Sequence, residues 1–265
     1  MQVAILIPTY KTKFDHYETK SIARIIKLYQ KKFDIFFICP EKIKNKLVDY
    51  NLKIEPFPNI FFTNHRQYNK LCMNKIFYNR FKKYKYILIS QTDSIILDDK
   101  LMYWCNHNLS YIGGPSYHKK LISKKPKSPK FFCNGGFSLR KVEDFINLFD
   151  TNAIYLQNID LKIINQICFR GYFLKFLKLL IKSIFFRNKE YFITNFFLNE
   201  DVFYTYFAKL FLKNFKLPRN SKECAHFALS EGIEYYIEKY NIIPFGIHGY
   251  NKEIDLLLKK NYLKI

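Results

Sequence analysis

Acidic residues are scarce in this chain of 265 residues: 22 Asp and Glu stand against 44 Lys and Arg, for a formal charge of +22. An excess of that size calls for anionic substrates, a membrane surface or nucleic acid as the balancing partner, and sign alone does not choose among them. The abundance of Lys, Ile, Asn, Phe and Tyr is also the pattern of an AT-rich coding sequence, a second source of basic residues. Cys39, Cys72, Cys105, Cys133, Cys168 and Cys224 form no C-x-x-C pair and have no histidine companions at zinc spacing, which leaves reduced thiols as the expectation. Met1 to Pro8 carries neither a basic leader nor a small-residue cleavage site, so a cytoplasmic location is expected. No run reaches the roughly 18 uncharged apolar residues that span a bilayer, because Lys175, Lys178 and Lys182 interrupt the most hydrophobic region. Internal repeats, low-complexity linkers and clear domain boundaries are missing as well, and a single domain over residues 1–265 is expected.

What is present is an apolar share of 49%, enough for a sizeable core and against disorder. Val3 to Ile7, ended by Pro8, reads as a buried parallel strand, and Ile35 to Cys39, stopped by Pro40, as a second. Between them Ile22, Ile25, Ile26 and Tyr29 recur at i, i+3, i+4 and i+7 among lysines and Arg24, the pattern of an amphipathic helix. Cys72, Met73, Ile76 and Phe77 predict a further helix, Tyr86 to Ser90 a strand, and Leu101, Met102 and Trp104 another helix. This alternation implies an α/β fold with a mostly parallel, Rossmann-like central sheet flanked by helices, in which ligands sit at the carboxyl ends of strands. Phe131 to Leu139 reads as a strand in which Gly135 and Gly136 turn tightly or let a ligand approach, followed by a helix from Arg140 to Phe149. From about 152 to 197 the chain is apolar and basic, with Lys175, Lys178 and Lys182 at i, i+3 and i+7 in an interfacial-helix pattern; the alternative is core packing with solvated lysines.

Four features can carry chemistry. Strand Tyr86 to Ser90 runs into Gln91, Thr92 and Asp93, so a carboxylate emerges where the ligand crevice lies; a hard cation on a diphosphate needs only one or two protein carboxylates, but an Asp here also suits a turn or helix cap. Asn134, Gly135 and Gly136 offer an amide and bare backbone for a sugar or diphosphate, or form a simple bulge. Glu200 and Asp201 open a helix as dipole partners, or supply the base that deprotonates an attacking hydroxyl. His248, between Gly246 and Gly249, is a metal ligand or a buried, hydrogen-bonded histidine.

Taken in order, Tyr68-Asn69-Lys70-Leu71, Phe77-Tyr78, Tyr86 to Asp93, Trp104-Cys105, Tyr111-Ile112-Gly113-Gly114-Pro115, Asn134 to Arg140, Asn199-Glu200-Asp201-Val202-Phe203 and Pro244-Phe245-Gly246-Ile247-His248 resemble a family of bacterial and fungal proteins assigned to glycosyl transfer but catalogued as a domain of unknown function. The resemblance covers nearly the whole chain, from about Val3 to Tyr250. It implies a GT-A fold, with a nucleotide-sugar half over 1–115, an acceptor half over 116–265, and the basic helical insertion at about 152–197 inside the latter. It implies donor contacts from Pro8, Thr9, Tyr10, Tyr68, Asn69, Gln91, Thr92, Asp93, Asn134, Gly135 and Gly136. Mn²⁺ or Mg²⁺ would be held by Asp93, which is similar to the last acid of a D-x-D motif, and by His248. Gln91 stands where the first acid of that motif would be, so metal dependence stays open. Asp201, with Glu200 beside it, is similar to the base of inverting members; retention stays open too. The expected acceptor is a cell-surface glycan or glycolipid such as lipooligosaccharide, capsule or O-antigen, and the expected site of action is the inner face of the cytoplasmic membrane. A non-catalytic nucleic-acid- or membrane-binding protein is the rival reading. Against nucleic acid, no recognisable module occurs and the positive charge is spread along the chain.

Overall fold

The structure, a computed structural model, describes residues 2–116, 132–150, 154–155, 172–185 and 189–260. Its centre is a six-stranded sheet in the order β3-β2-β1-β4-β7-β6, built from β1 (Val3–Pro8), β2 (Asp34–Pro40), β3 (Lys53–Phe57), β4 (Tyr86–Ser90), β6 (Tyr111–Ser116) and β7 (Phe132–Lys141). The first four strands pair in parallel, and β7 runs antiparallel to both of its neighbours. The expected α/β architecture, a mostly parallel sheet flanked by helices, is thus the one observed. β3 carries Pro56, which lacks an amide for the ladder, and it lies at the sheet edge where that is tolerated.

Both faces of the sheet are covered because β1 and most of β2 and β4 are apolar on both sides. Ala4, Leu6, Ile87 and Ile89 point into one core with Phe77, Tyr78, Phe145 and Phe203. Val3, Ile5, Ile7 and Leu88 point into the opposite core with Ile22, Ile25, Leu101 and Trp104. Each of the larger aliphatic and phenylalanine side chains withdrawn from water is worth about 1.5–3 kcal/mol. The second core is closed by α1 (His16–Tyr29) and α4 (Leu101–Asn106). The first is closed by α2 (His65–Cys72), α3 (Lys75–Arg80), α5 (Val142–Asp150), α6 (Tyr172–Phe185), α7 (Lys189–Asn195) and α8 (Glu200–Tyr206). A small sheet, β5-β9-β8, made of β5 (Ser94–Ile96), β8 (Ala228–Leu229) and β9 (Gly246–His248), sits beside α9 (Ser221–Phe227) and α10 (Lys252–Lys260) with a third apolar cluster.

Three local expectations are corrected. The helix predicted over Cys72 to Phe77 is two helices, because the Asn74 side chain accepts the Ile76 amide and caps a new start. Arg140 belongs to β7 and the helix begins at Val142. The tight turn at Gly135 and Gly136 is instead a bulge of β7 against β6, the other reading of that motif: Gly113 pairs with Ser138 but Pro115 with Cys133, and among described glycines only Gly232 and Gly249 have positive φ. Five cysteines are buried and free, as thiols of the core; Cys168 lies outside the described residues, as do parts of the segment from 152 to 197.

Candidate functional site

The antiparallel run of β7 is what assembles the site. Its pairing sets Phe137 against Ser90, so Gly135 and Gly136 arrive beside the carboxyl end of β4, where the Gln91 amide donates to the Gly136 carbonyl at 2.9 Å. After a turn at Thr92 and Asp93, β5 pairs with β9, Ser94 opposite His248. The Tyr250 amide then donates to the Asp93 carbonyl at 2.6 Å. His248 Nε2 consequently lies 3.0 Å from Gln91 Oε1 and 3.5 Å from Asp93 Oδ1, although 157 residues separate His248 from Gln91. Burial lowers the His248 pKa against the opposing pull of Asp93 and Glu200, so the ring is held neutral, as a metal ligand must be.

These donors fit one hard cation. Neighbouring ligands of an octahedral ion at about 2.1 Å lie about 3 Å apart, close to both separations. Among the described residues no group of three or more His, Cys, Asp or Glu could hold a metal, so substrate oxygens and water would have to complete the shell. Metal and the hydrogen bond to Gln91 exclude each other at Nε2, because the bond needs a proton there.

The two glycines have a different purpose from the one expected. A Cβ on Gly136 would overlap His248 Nε2, and one on Gly135 would overlap Glu200 Oε1. Bare backbone here makes room for an imidazole and a carboxylate. Asn134 turns its Oδ1 inward to the Gly136 amide at 2.8 Å. Behind the glycines lies Arg140, fully buried. Its Nη2 meets Glu200 Oε1 at 3.2 Å, its Nη1 donates to the Tyr78 hydroxyl at 2.9 Å, and its guanidinium faces the rings of Tyr111, Phe145 and Tyr204. Glu200 and Asp201 form the first turn of α8, and the Val202 amide donates to Asp201 Oδ1 at 2.7 Å. Burial first, and then the adjacent Glu200 charge, push the Asp201 carboxyl up to about 8.

A cleft of about 720 Å³ opens in front of this cluster at the carboxyl ends of β1 and β4. Pro8, Thr9, Tyr10, Tyr68, Gln91, Thr92 and Asp93 line it, seven of the residues expected to touch a donor. Asn69 instead lines a smaller cavity of about 300 Å³ with Asn199, to which its amide is bonded at 3.1 Å; His65 borders both spaces. Asn134, Gly135, Gly136, Glu200 and Asp201 form the layer behind the cleft wall and line neither space; His248 backs the wall itself, against Gln91 and Asp93.

Sequence reasoning missed Glu18, Lys11, Arg140 and Tyr250. Glu18 closes a capping box with Asp15, accepts from Lys11 Nζ at 2.7 Å, and accepts from Thr92 Oγ1 at 2.6 Å, tying the start of α1 to the cleft floor. Burial would raise its pKa, but the bonds from Lys11, Thr92 and the Asp15 amide outweigh it and lower it. The D-x-x-E spacing of Asp15 and Glu18 was the available signal. Tyr250 has no comparable local signature.

The family model described as protein of unknown function (DUF5672) matches residues 51–248. No curated protein matches the chain. Among solved structures, it is similar to Staphylococcus aureus TarS 1–349 in complex with UDP-GlcNAc, at 13% identity and TM-score 0.33 over 54% of this chain and 46% of that one. It is similar to the Pyrobaculum calidifontis mannosyltransferase PcManGT in complex with GDP-Man and Mn²⁺, at 10% identity and TM-score 0.36 over 57% and 47%. A glycosyltransferase involved in glycosylation of the major capsid of the virus PBCV-1 matches over 100% of both chains, at 9% identity and TM-score 0.49. The chain spans about half the length of the first two. Identities and scores this low transfer no substrate or mechanism.

Proposed function

We propose that this chain, which belongs to the family of protein of unknown function DUF5672, is a glycosyltransferase of GT-A type that moves a sugar from a nucleotide-sugar donor to a hydroxyl of a cell-surface glycan or glycolipid. The observation that carries this reading is the meeting of Gln91, Asp93 and His248 at the inner wall of a 720 Å³ cleft on the carboxyl ends of parallel strands. A cleft of that volume suits a nucleotide-sugar, and an α/β sheet presents its ligands there.

In this reading the donor lies in the cleft against Thr9, Tyr10, Tyr68 and Thr92, with Tyr10 exposed to stack on a base. Asp93 and His248 would hold Mn²⁺ or Mg²⁺, and the ion when bound supplies positive charge against the diphosphate. Asp201, which lies behind the cleft wall, would have to be uncovered when the acceptor binds; it then takes the proton of the acceptor hydroxyl as that oxygen attacks the anomeric carbon and the bond to the diphosphate breaks. A base whose pKa lies near the working pH is suited to this, and a carboxyl pushed up to about 8 meets that requirement. Glu200, paired with Arg140, acts through Asp201 as a positioning residue. Attack from the face opposite the leaving group inverts the anomeric centre.

The test is a thermal-shift screen of nucleotide-sugars with and without Mn²⁺. One donor is expected to raise the unfolding temperature by mass action, more so with the ion. Absence of a shift with every nucleotide-sugar would remove the reading.

A further inference from the structure

The helix α6 has two apolar faces, and among the described residues only one of them is buried. Phe176, Leu179, Leu180 and Ser183, at i, i+3, i+4 and i+7, are buried, with Phe176 packed on Phe192 and Phe207. Leu174, Leu177 and Ile181, at i, i+3 and i+7, make a second stripe on the opposite side of the same cylinder. These are exposed by 64, 39 and 55% respectively. Lys175, Lys178 and Lys182 fall together on one flank between the two faces, all exposed. No acidic residue stands between Asp160 and Glu190, a stretch that carries seven basic ones.

We propose that this outer face of α6 docks on an anionic lipid surface, with the apolar stripe at the acyl boundary and the lysines among the headgroups. A stripe of this kind beside exposed lysines is the arrangement that lies in a membrane interface. No helix among the described residues is long and apolar enough to cross a membrane, so the contact is lateral. A second copy of the chain is a poor occupant, because a symmetric contact through this face would bring lysine flanks together with no acid in the segment to pair them. Docking stands independently of glycosyl transfer. If both hold, a lipid-borne acceptor would reach the site beside α6: Lys175 Nζ sits 4.8 Å over the Phe197 ring, and Phe197 lines the smaller cavity with Asn199, next to Glu200.

Co-sedimentation of the intact chain with phosphatidylcholine vesicles, with and without phosphatidylglycerol, tests this. Binding is expected only to the anionic vesicles. Each lysine near such a surface is worth about fivefold in affinity, so Lys175→Gln/Lys178→Gln/Lys182→Gln should weaken binding about a hundredfold. The control Lys42→Gln/Lys44→Gln/Lys46→Gln removes equal charge from another exposed surface and should weaken it far less. Leu174→Ser/Ile181→Ser, which alters only exposed side chains, should bind at least about tenfold more weakly with an unchanged unfolding temperature. Equal losses in the two lysine variants, undiminished binding by the serine variant, or a wild type that stays in solution with both vesicles would overturn the proposal. So would a dimer in sedimentation velocity that the serine variant abolishes, which would assign the face to a second copy. A donor thermal shift retained in vesicle-defective variants would separate this outcome from failure of the catalytic reading.

Discussion

The rim of the cleft and the layer directly behind it hold the same kinds of group under opposite conditions. At the rim, the Asp93 side chain is half exposed, and its nearest cation-capable neighbour is a neutral imidazole at 3.5 Å. Behind it, Arg140, Glu200 and Asp201 are shut away among aromatic rings and bonded to the backbone or to one another. The difference teaches where rigidity comes from: the inner groups are fixed because losing any partner strands a buried charge, whereas water can replace any partner at the rim. A site that must admit a charged ligand needs the second condition, and one that must tune a proton needs the first.

The largest effect should come from breaking the inner pair. Arg140→Met leaves Glu200 buried without its cation and is expected to cost about 3–5 kcal/mol in urea unfolding; a cost below about 1 kcal/mol would mean that the layer is wet. Next, Asp201→Asn is expected to lower transfer by about 10²–10⁴-fold with donor affinity preserved. It should also change the pH dependence of stability. Between 3.8 and about 8 the folded chain keeps a proton on Asp201 that the unfolded chain has released. This group's contribution therefore falls as pH rises across that window, and the variant should lose the fall. Gly136→Ala joins the two layers by driving a methyl group into His248. It should cost about 1–3 kcal/mol as an overpacked contact and displace the imidazole resonances in NMR spectra. Smallest in stability is Asp93→Ala, expected within about 0.5 kcal/mol as an exposed substitution, while calorimetry should show the Mn²⁺-dependent part of donor binding gone.

How much was legible follows the same division. β1, β2 and β4 could be read from continuous apolar runs, and α1 from its 3.6-residue period, because a strand buried on both faces and a one-sided helix leave patterns in the chain itself. Asp93 could be singled out because its position after β4 follows from the strand alone. Arg140 could not. In sequence it reads as the start of a helix; in the fold it is the last inward position of an antiparallel strand, and only the packing of α8 against β7 gives it Glu200 as a partner. Gly135 and Gly136 were visible as glycines, but what they make room for comes from residues more than sixty and a hundred positions away.

The amino-acid sequence by itself determined β1, β2, β4 and α1, the surplus of positive charge, and the residue types available at those strand ends, since these depend on near neighbours and composition. Tertiary structure alone decided that β7 runs against β4, that β9 returns His248 to Asp93, and that burial raises the pKa of the Asp201 carboxyl. Register and burial are set by contacts between distant parts of the chain, and desolvation acts on a group only once the whole fold has closed around it.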